Sequence, residues 1–279
     1  MKDYLQLLRI KHYVKNLLIF VPLFFSRNMF NYESLISAIL GFVSFCCISS
    51  AVYIINDIRD IQKDRNHPRK KDRPIASGRI SKGTAYICFG ICLFAATAVS
   101  FLYLKPLYYS YLLLYFVLNI AYSYRLKNYP IIDVVILASG FVLRILYGGG
   151  VTGVEVSTWL YLVVVTGSLY MGLGKRRNEL KQQNNSREVL KYYNESFLDK
   201  NMYVAVAVVI VFYALWTIES SNEVLAWTVP VFIIILMRYS FDVEGDSDGD
   251  PIEVLLHDKV LIILSVIYVI SIFVILYLV

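Results

Sequence analysis

The chain has 279 residues, of which 58% are hydrophobic and 17% charged, with a mean hydropathy of +0.58 and a formal net charge of +6. A soluble domain of this composition would need several helices that are apolar on every face, so the composition excludes the soluble class and indicates an integral membrane protein. We expect no nucleic-acid partner.

Nine membrane spans are predicted in chain order, each from an apolar run bounded by charged, proline or glycine residues. They cover residues 10–26, 34–56, 83–104, 106–124, 131–150, 157–174, 201–218, 223–240 and 260–279. The first run lacks a small-residue cleavage site, so we interpret it as a retained span and not as a signal peptide. The sequence therefore predicts one all-α transmembrane domain over residues 1–279.

Basic residues determine the expected orientation. With a cytoplasmic N-terminus, every Lys and Arg falls in a cytoplasmic segment or near the cytoplasmic end of a span, except Arg27 and Lys105, in outside loops, and Arg144, in the middle of the fifth span. The positive-inside rule then predicts a multi-pass protein of the cell membrane whose segments 56–82, 175–200 and 241–259 are cytoplasmic. These three segments are long enough for chemistry, so we expect the active site on that side.

The stretch after the second span, "NDIRDIQKD", contains three regularly spaced carboxylates. Asp57, Asp60 and Asp64 follow an i, i+3, i+7 pattern, and a helix continuing from the span would place them on one face, with Asn56 one step aside. Like charges on one face are tolerated best with a cation between them, and Mg²⁺ prefers such oxygen ligands together with substrate phosphates. In the alternative, the carboxylates only form ion pairs on a solvated helix face, with Arg59, Lys63 or Arg65.

This motif resembles the first Asp-rich motif of the UbiA superfamily of intramembrane prenyltransferases. The stretches "DRNHPRKKDRPIASG" (64–78), "KHYVKNLLIF" (11–20), "GKRRNEL" (174–180) and "PIEVLLHDK" (251–259) also resemble the branch that contains decaprenyl-phosphate phosphoribosyltransferase. The resemblance implies a nine-helix UbiA-like bundle around a central cavity open to the cytoplasmic side. It also implies Mg²⁺ as cofactor, with Asp57, Asp60 and Asp64 as catalytic and metal-binding residues.

The chain departs from the prenyltransferases of that superfamily after its sixth span. Those enzymes are expected to carry a second Asp-rich motif, DxxxD, there, whereas this chain has Lys175, Arg176 and Arg177, with Glu179 as the only nearby acid. Basic side chains cannot ligate Mg²⁺ but can bind phosphate oxygens directly.

A DxxxD spacing does occur after the eighth span, at Asp242 and Asp246. It is either a metal site or a solvated acidic loop, and the glycines around it argue against a continuous helix.

The basic clusters suit substrates with several phosphates. A phosphoribosyl donor carries a 5-phosphate, and a polyprenyl phosphate acceptor carries its own head group. Arg144 is costly within a span, so we expect it to face a polar cavity near Asp133 or a phosphate; the alternative is a structural pairing with Asn119 or a carbonyl. The candidate substrate-binding residues are Lys15, Asn56, Arg65, Lys70, Arg73, Tyr122, Lys127, Arg144, Lys175 and Arg176.

We therefore predict transfer of the 5-phosphoribosyl group from phosphoribosyl pyrophosphate to a polyprenyl (decaprenyl-type) phosphate, releasing pyrophosphate. The resemblance places this reaction in cell-wall glycan precursor synthesis, as for arabinan. Asp57 and Asp60 would hold Mg²⁺ and pyrophosphate, and Asp64 either metal or ribose hydroxyls. Two alternatives stay open: a prenyltransferase with an aromatic or other small acceptor, and a non-catalytic anion or lipid carrier. The oligomeric state is open too, a homo-oligomer included.

Overall fold

The structure is a computed structural model that describes residues 1–68, 70–182, 187–220, 222–245 and 251–279. These residues form an all-α fold. In chain order the α-helices are α1 (Lys2–Leu7), α2 (Val21–Phe25), α3 (Tyr32–Arg59), α4 (Ile61–Arg65), α5 (Lys82–Tyr103), α6 (Tyr109–Tyr124), α7 (Ile132–Thr152), α8 (Thr158–Lys181), α9 (Glu195–Glu219), α10 (Val229–Glu244), α11 (Pro251–His257) and α12 (Lys259–Tyr277). Short 3-10 helices lie between them, at Ile10–Phe20, Lys70–Asp72, Pro106–Tyr108, Leu126–Asn128, Glu188–Tyr192 and Glu223–Thr228.

Polar side chains set where most of the long helices begin. In each case an Asn, Ser or Asp oxygen accepts a hydrogen bond from a backbone N–H in the first turn, which stabilises the helix start by about 1 kcal/mol. These residues are Asn31 for α3, Ser81 for α5, Ser157 for α8, Asn194 for α9 and Asp258 for α12. Each of these caps is a contact within three residues of the chain, so these boundaries are determined locally.

Six helical segments of the described chain are long and apolar enough to cross a membrane: α3, α5, α7, α9, Glu223–Glu244 and α12. They match the predicted spans at 34–56, 83–104, 131–150, 201–218, 223–240 and 260–279. On α5, the side chains of Ile87, Ile91 and Phe94 lie on one face and are exposed, as expected of a lipid-facing stripe. The chain is therefore a multi-pass membrane protein.

The other three predicted spans are helical, but their helices are not both long and apolar enough to cross a membrane by the same criterion. Residues 10–26 consist of the 3-10 helix Ile10–Phe20 followed by the five-residue α2. Helix α6 has 16 residues, and the apolar run of α8 is broken by glycine and polar side chains. The count of nine spans thus stays a prediction.

The described chain divides into two compact units, each with its own core. The first comprises Met1–Tyr124 and Leu143–Glu155, and the second Arg125–Val142 and Val156–Val279. Helix α7 contributes its first half to the second unit and its second half to the first. The predicted single domain stays a prediction.

In the first unit, α3 packs along α5 and also contacts α6 and the 3-10 helix Ile10–Phe20. Phe45, Tyr115 and Tyr147 form the aromatic centre of its core. A Cβ at Gly148 would lie 2.2 Å from the carbonyl oxygen of Ile19, so a side chain larger than hydrogen cannot be accommodated where α7 meets the 3-10 backbone.

In the second unit, α8 packs along α9, and α10 contacts both of them as well as α12. One core cluster lies between these helices and includes Tyr170, Met202 and Val243. A second cluster joins Val134 on α7 to the 3-10 helix Glu188–Tyr192. This second cluster positions the start of α7 beside the end of α8.

The helix that was expected to carry all three carboxylates ends before the second of them. Helix α3 stops at Arg59, Asp60 has φ −90° and ψ 11°, and the short α4 begins at Ile61. The prediction of one continuous helix face is therefore wrong. Asp57 and Asp64 nevertheless lie close enough to contact the same side chain, that of Arg73.

Candidate active site

Asp57 and Asp64 are buried and share one cation. Their side chains are 4% and 5% exposed, and Nη1 of Arg73 lies 3.0 Å from Asp57 Oδ1 and 2.7 Å from Asp64 Oδ2. One guanidinium nitrogen thus donates to both carboxylates. Two buried negative charges need such compensation, because an unpaired buried carboxylate is strongly destabilising. We call Asp57, Asp64, Arg73 and Arg9 the acidic-arginine cluster.

Arg9 is the second cation of this cluster, and no sequence pattern pointed to its role. Its Nη2 donates to Asp57 Oδ1 at 2.5 Å, and its guanidinium lies 4.7 Å from the centre of the Tyr53 ring. The Arg9 backbone has φ 53°, in the left-handed region. In sequence Arg9 looks like any basic residue that flanks a span, so only the packing reveals it.

Two of the three alternative partners expected for the motif, Arg59 and Arg65, are engaged elsewhere. Arg59 donates to the carbonyl oxygen of Tyr124 and covers its ring at 3.9 Å, and Arg65 donates to the carbonyl oxygen of Ala76 at 3.0 Å. The Asp60 carboxylate is half-buried and makes no ion pair or side-chain hydrogen bond with the described residues. Its role as a ligand of metal or pyrophosphate stays a prediction.

Four other predicted residues belong to the first unit. Asn56 is half-buried on the last turn of α3, and its carbonyl oxygen accepts the N–H of Asp60. Lys15, Lys70 and Tyr122 are half-buried as well. The substrate-binding roles of these four residues stay predictions.

Arg144 lies inside the first unit, almost fully buried. Its Nε donates to Asn16 Oδ1 at 2.8 Å, one Nη donates to Tyr115 Oη at 3.3 Å, and its guanidinium lies over the Phe45 ring at 4.8 Å. The expected alternative partner, Asn119, instead donates to the Tyr115 carbonyl oxygen. Arg144 is thus part of a polar network on aromatic and amide side chains, and its contact with phosphate stays a prediction.

The basic stretch after the sixth predicted span forms a cluster of ion pairs in the second unit. Arg176 is fully buried; its Nε donates to Asp133 Oδ2 at 2.5 Å and its Nη1 donates to Glu179. Asp133 also accepts from the Tyr193 hydroxyl at 2.6 Å, and that hydroxyl in turn accepts the N–H of Ile131. We call Asp133, Arg176, Glu179 and Tyr193 the buried ion-pair cluster.

The pKa values of Glu179 and Tyr193 are shifted by burial together with their hydrogen-bonding and charged partners. Burial would raise the pKa of Glu179, but the charges of Arg176, Arg187 and Lys175 outweigh it and hold that pKa below its ordinary value. Burial and the bond to Asp133 raise the pKa of Tyr193, which stays a neutral donor.

The Arg176 guanidinium, which was expected to bind phosphate, is already neutralised by Asp133 and Glu179. The phosphate-binding role of Arg176 stays a prediction. The same role is predicted for the neighbouring Lys175, whose side chain is only half-buried. Arg177, likewise buried, is paired with Asp199. Lys127 is half-buried in the 3-10 helix Leu126–Asn128.

The acidic spacing after the eighth predicted span is only partly within the described residues. Asp242 is on α10, where Arg238 Nη2 lies 4.0 Å from it, and Arg238 Nε also donates to Asp258. Asp246 lies outside the described residues. A metal site at this pair stays a prediction.

The donor set around Asp57 fits a magnesium ion by its chemistry. Carboxylate and amide oxygens are hard ligands, and Mg²⁺ is usually held by one or two carboxylates while substrate phosphates and water complete the shell. Within the described parts of the chain, no three His, Cys, Asp or Glu side chains form a complete protein cage. Asp57, Asp60 and Asp64 stay the predicted ligands of such an ion.

Comparison with known proteins assigns the family. The sequence profile of the UbiA prenyltransferase family matches residues 17–257. The chain is a member of this family. A UbiA homolog from Archaeoglobus fulgidus, solved bound to GPP and Mg²⁺, superposes with a TM-score of 0.76, covering 98% of this chain and 99% of that one at 21% identity. That similarity shows the UbiA fold.

Two relatives in the family are similar over nearly the whole chain. Decaprenyl-phosphate phosphoribosyltransferase from Corynebacterium glutamicum is 34% identical over 275 residues, covering 94% of this chain and 83% of the relative. The enzyme of the same name from Mycolicibacterium smegmatis is 32% identical, covering 92% and 86%. The resemblance of the Asp-rich motif to UbiA enzymes is thereby confirmed, and the chain is a transferase of the UbiA class.

Proposed function

We propose that this UbiA-family protein transfers the 5-phosphoribosyl group of phosphoribosyl pyrophosphate to a polyprenyl phosphate and releases pyrophosphate. The observation that carries the proposal is a pair of buried carboxylates, Asp57 and Asp64, held by guanidinium groups in a chain that aligns almost end to end with phosphoribosyltransferases. The product would serve cell-wall glycan synthesis, as the decaprenyl-type lipid-linked ribose serves arabinan.

The chain's own residues supply the binding and the charge complementarity. Asp57 and Asp60 would face the pyrophosphate end of the donor, and Asp64 either the same end or the ribose hydroxyls. A magnesium ion bound there would neutralise the charge that develops on the departing pyrophosphate. Arg65, Arg73 and Lys175 would bind phosphate oxygens through charge-assisted hydrogen bonds.

The acceptor needs little activation. A phosphate oxyanion is already a nucleophile at neutral pH, so the reaction requires orientation of the lipid head group more than a general base. Candidate head-group residues are Lys15, Lys127 and Arg144, with Tyr122 as a neutral donor. The lipid tail would lie in an apolar groove that opens to the bilayer.

The proposal includes the topology that the charge distribution favours. The chain would form nine membrane-crossing segments around a cavity open to the cytoplasm, with the N-terminus and the Asp-rich motif on that side of the cell membrane. The distribution of Lys and Arg supports this orientation. Homo-oligomerisation is compatible with the proposal and is not required by it.

The reaction is tested by following label into lipid. Membranes that contain the wild-type chain, Asp57→Asn or Asp60→Asn are incubated with Mg²⁺, radiolabelled phosphoribosyl pyrophosphate and a short polyprenyl phosphate. Asp72→Asn is the matched control, because Asp72 is an exposed carboxylate of the same loop. Wild type and the control should transfer label, and the two motif variants should lose about 100-fold or more.

Two other outcomes would contradict the proposal. If label does not move but a prenyl diphosphate is consumed with an aromatic acceptor, the chain is a prenyltransferase. If neither donor reacts while phosphorylated ligands still bind, the chain is a non-catalytic carrier. A general membrane-insertion defect would lower the control as well.

A further inference from the structure

Arg73 occupies the position between two carboxylates that a small cation would take. Its Nη1 lies 3.0 Å from Asp57 Oδ1 and 2.7 Å from Asp64 Oδ2, so a single atom bridges two negative side chains. A guanidinium relieves the repulsion between the carboxylates as a metal would, but with one positive charge in place of two. A metal could bind both oxygens only if this nitrogen withdrew.

The Arg73 backbone is held by hydrogen bonds, whereas its side chain is partly exposed. The following residues, Ile75 and Ala76, are buried, and Arg65 donates to the Ala76 carbonyl oxygen. The N–H and the hydroxyl of Ser77 both donate to the Arg73 carbonyl oxygen. By contrast, the Arg73 side chain is 26% exposed, so solvent already reaches part of it.

Arg9 is held more firmly on the same carboxylate. Its Nη2 lies 2.5 Å from Asp57 Oδ1, and its guanidinium also lies over the Tyr53 ring. The cation–π contact stabilises the Arg9 guanidinium in this position in addition to the ion pair. Arg9 therefore remains on Asp57 if Arg73 departs.

The charge balance of the cluster indicates that a metal replacing Arg73 would bind together with an anion. The two carboxylates are neutralised by the two guanidinium groups in the structure. If a divalent cation replaces Arg73, the cluster gains surplus positive charge and a released guanidinium lies beside it. Both features favour a polyphosphate anion and disfavour metal binding without one.

We propose that Arg73 and a divalent cation are alternative occupants of the space between Asp57 and Asp64, and that a pyrophosphate-type anion drives the exchange. Arg73 is then a positioning residue that excludes metal until the donor arrives and afterwards binds its phosphate. Identification of the anion as pyrophosphate rests on the proposed function; the exchange between guanidinium and metal does not.

Binding of metal and anion must then be reciprocal. If the anion raises the affinity for metal, the metal raises the affinity for the anion by the same factor, which is commonly about 5–150-fold. Removal of the Arg73 charge should make the metal site accessible without the anion. The factor by which the anion raises the metal affinity should therefore be smaller in that variant than in wild type.

The test measures Mn²⁺ binding to the purified full-length protein in detergent by EPR, with neither phosphoribosyl donor nor lipid acceptor present. Mn²⁺ replaces Mg²⁺ because it also prefers octahedral oxygen sites. Arg73→Gln should bind Mn²⁺ about tenfold or more tightly than wild type. Arg79→Gln is the charge-matched control, since Arg79 is in the same loop but pairs with Asp3, and its affinity should equal that of wild type.

A second measurement does not depend on the folding of Arg73→Gln. Inorganic pyrophosphate, corrected for its own complex with Mn²⁺, should raise the Mn²⁺ affinity of wild type by at least about fivefold. Arg73→Lys, which keeps the charge, should retain most of that coupling.

The proposal is overturned if wild type shows no coupling, or if Arg73→Gln binds Mn²⁺ no better than wild type. Equal gains in Arg73→Gln and Arg79→Gln would show only a general effect of net charge and would overturn it as well. Because no phosphoribosyl group is present, these results are independent of whether the transfer reaction occurs.

Discussion

Replacement of Arg176 by methionine should destabilise the protein strongly even without substrate. Arg176 and Asp133 are both fully buried, and the substitution leaves the Asp133 charge with the Tyr193 hydroxyl as its remaining side-chain donor. Loss of one member of a buried ion pair costs about 3–5 kcal/mol, since the other charge stays buried and uncompensated. Glu179, 14% exposed, loses one guanidinium but keeps Arg187 at 3.2 Å.

The measurement is thermal unfolding in detergent at one fixed scan rate, because membrane proteins of this size often unfold irreversibly. On the scale of soluble domains the loss corresponds to a fall in Tm of roughly 6–20 °C. Arg187→Met is the matched control: Arg187 is 30% exposed, and its ion pair should contribute no more than about 1 kcal/mol. The double variant Asp133→Asn, Arg176→Met removes both charges and should recover part of the loss.

A Tm of Arg176→Met within about 2 °C of wild type would refute the structural reasoning. If the same variant then failed to bind the phosphorylated donor, Arg176 would be the phosphate ligand that the sequence pattern indicated. The two readouts therefore separate a structural ion pair from a substrate contact.

Two further predictions concern packing and pH. Gly148→Ala should prevent stable folding, because its Cβ would lie 2.2 Å from the Ile19 carbonyl oxygen. Gly90→Ala, where a Cβ would meet open space, should instead stabilise the protein by up to about 1 kcal/mol. Thermal unfolding of both variants checks these two expectations. Glu179 has a pKa below its ordinary value of 4.5, so its stabilising contribution is complete above about pH 4.5 and is lost as the pH falls through the lowered pKa. The Tm of Glu179→Gln should therefore depend less on pH in that range than the Tm of wild type. An unchanged pH dependence would contradict this role of Glu179.

Local patterns were sufficient for much of the fold. Apolar runs identified six segments that are long and apolar enough to cross a membrane, and the i, i+3, i+7 spacing of Asp57, Asp60 and Asp64 correctly indicated the family. The same spacing predicted a wrong local geometry, since α3 ends at Arg59. The spacing of acidic residues does not report where the backbone leaves the helical conformation.

The sequence by itself determined the membrane class, the family and the position of the acidic motif at the end of an apolar helix. These features depend on composition and on residues within a few positions of each other. The tertiary structure alone decided which cation each carboxylate binds. Arg73 and Arg9 lie 16 and 48 positions from Asp57, and Arg176 lies 43 from Asp133. An arginine side chain is long enough to reach several carboxylates, and only the packing of the backbone selects one.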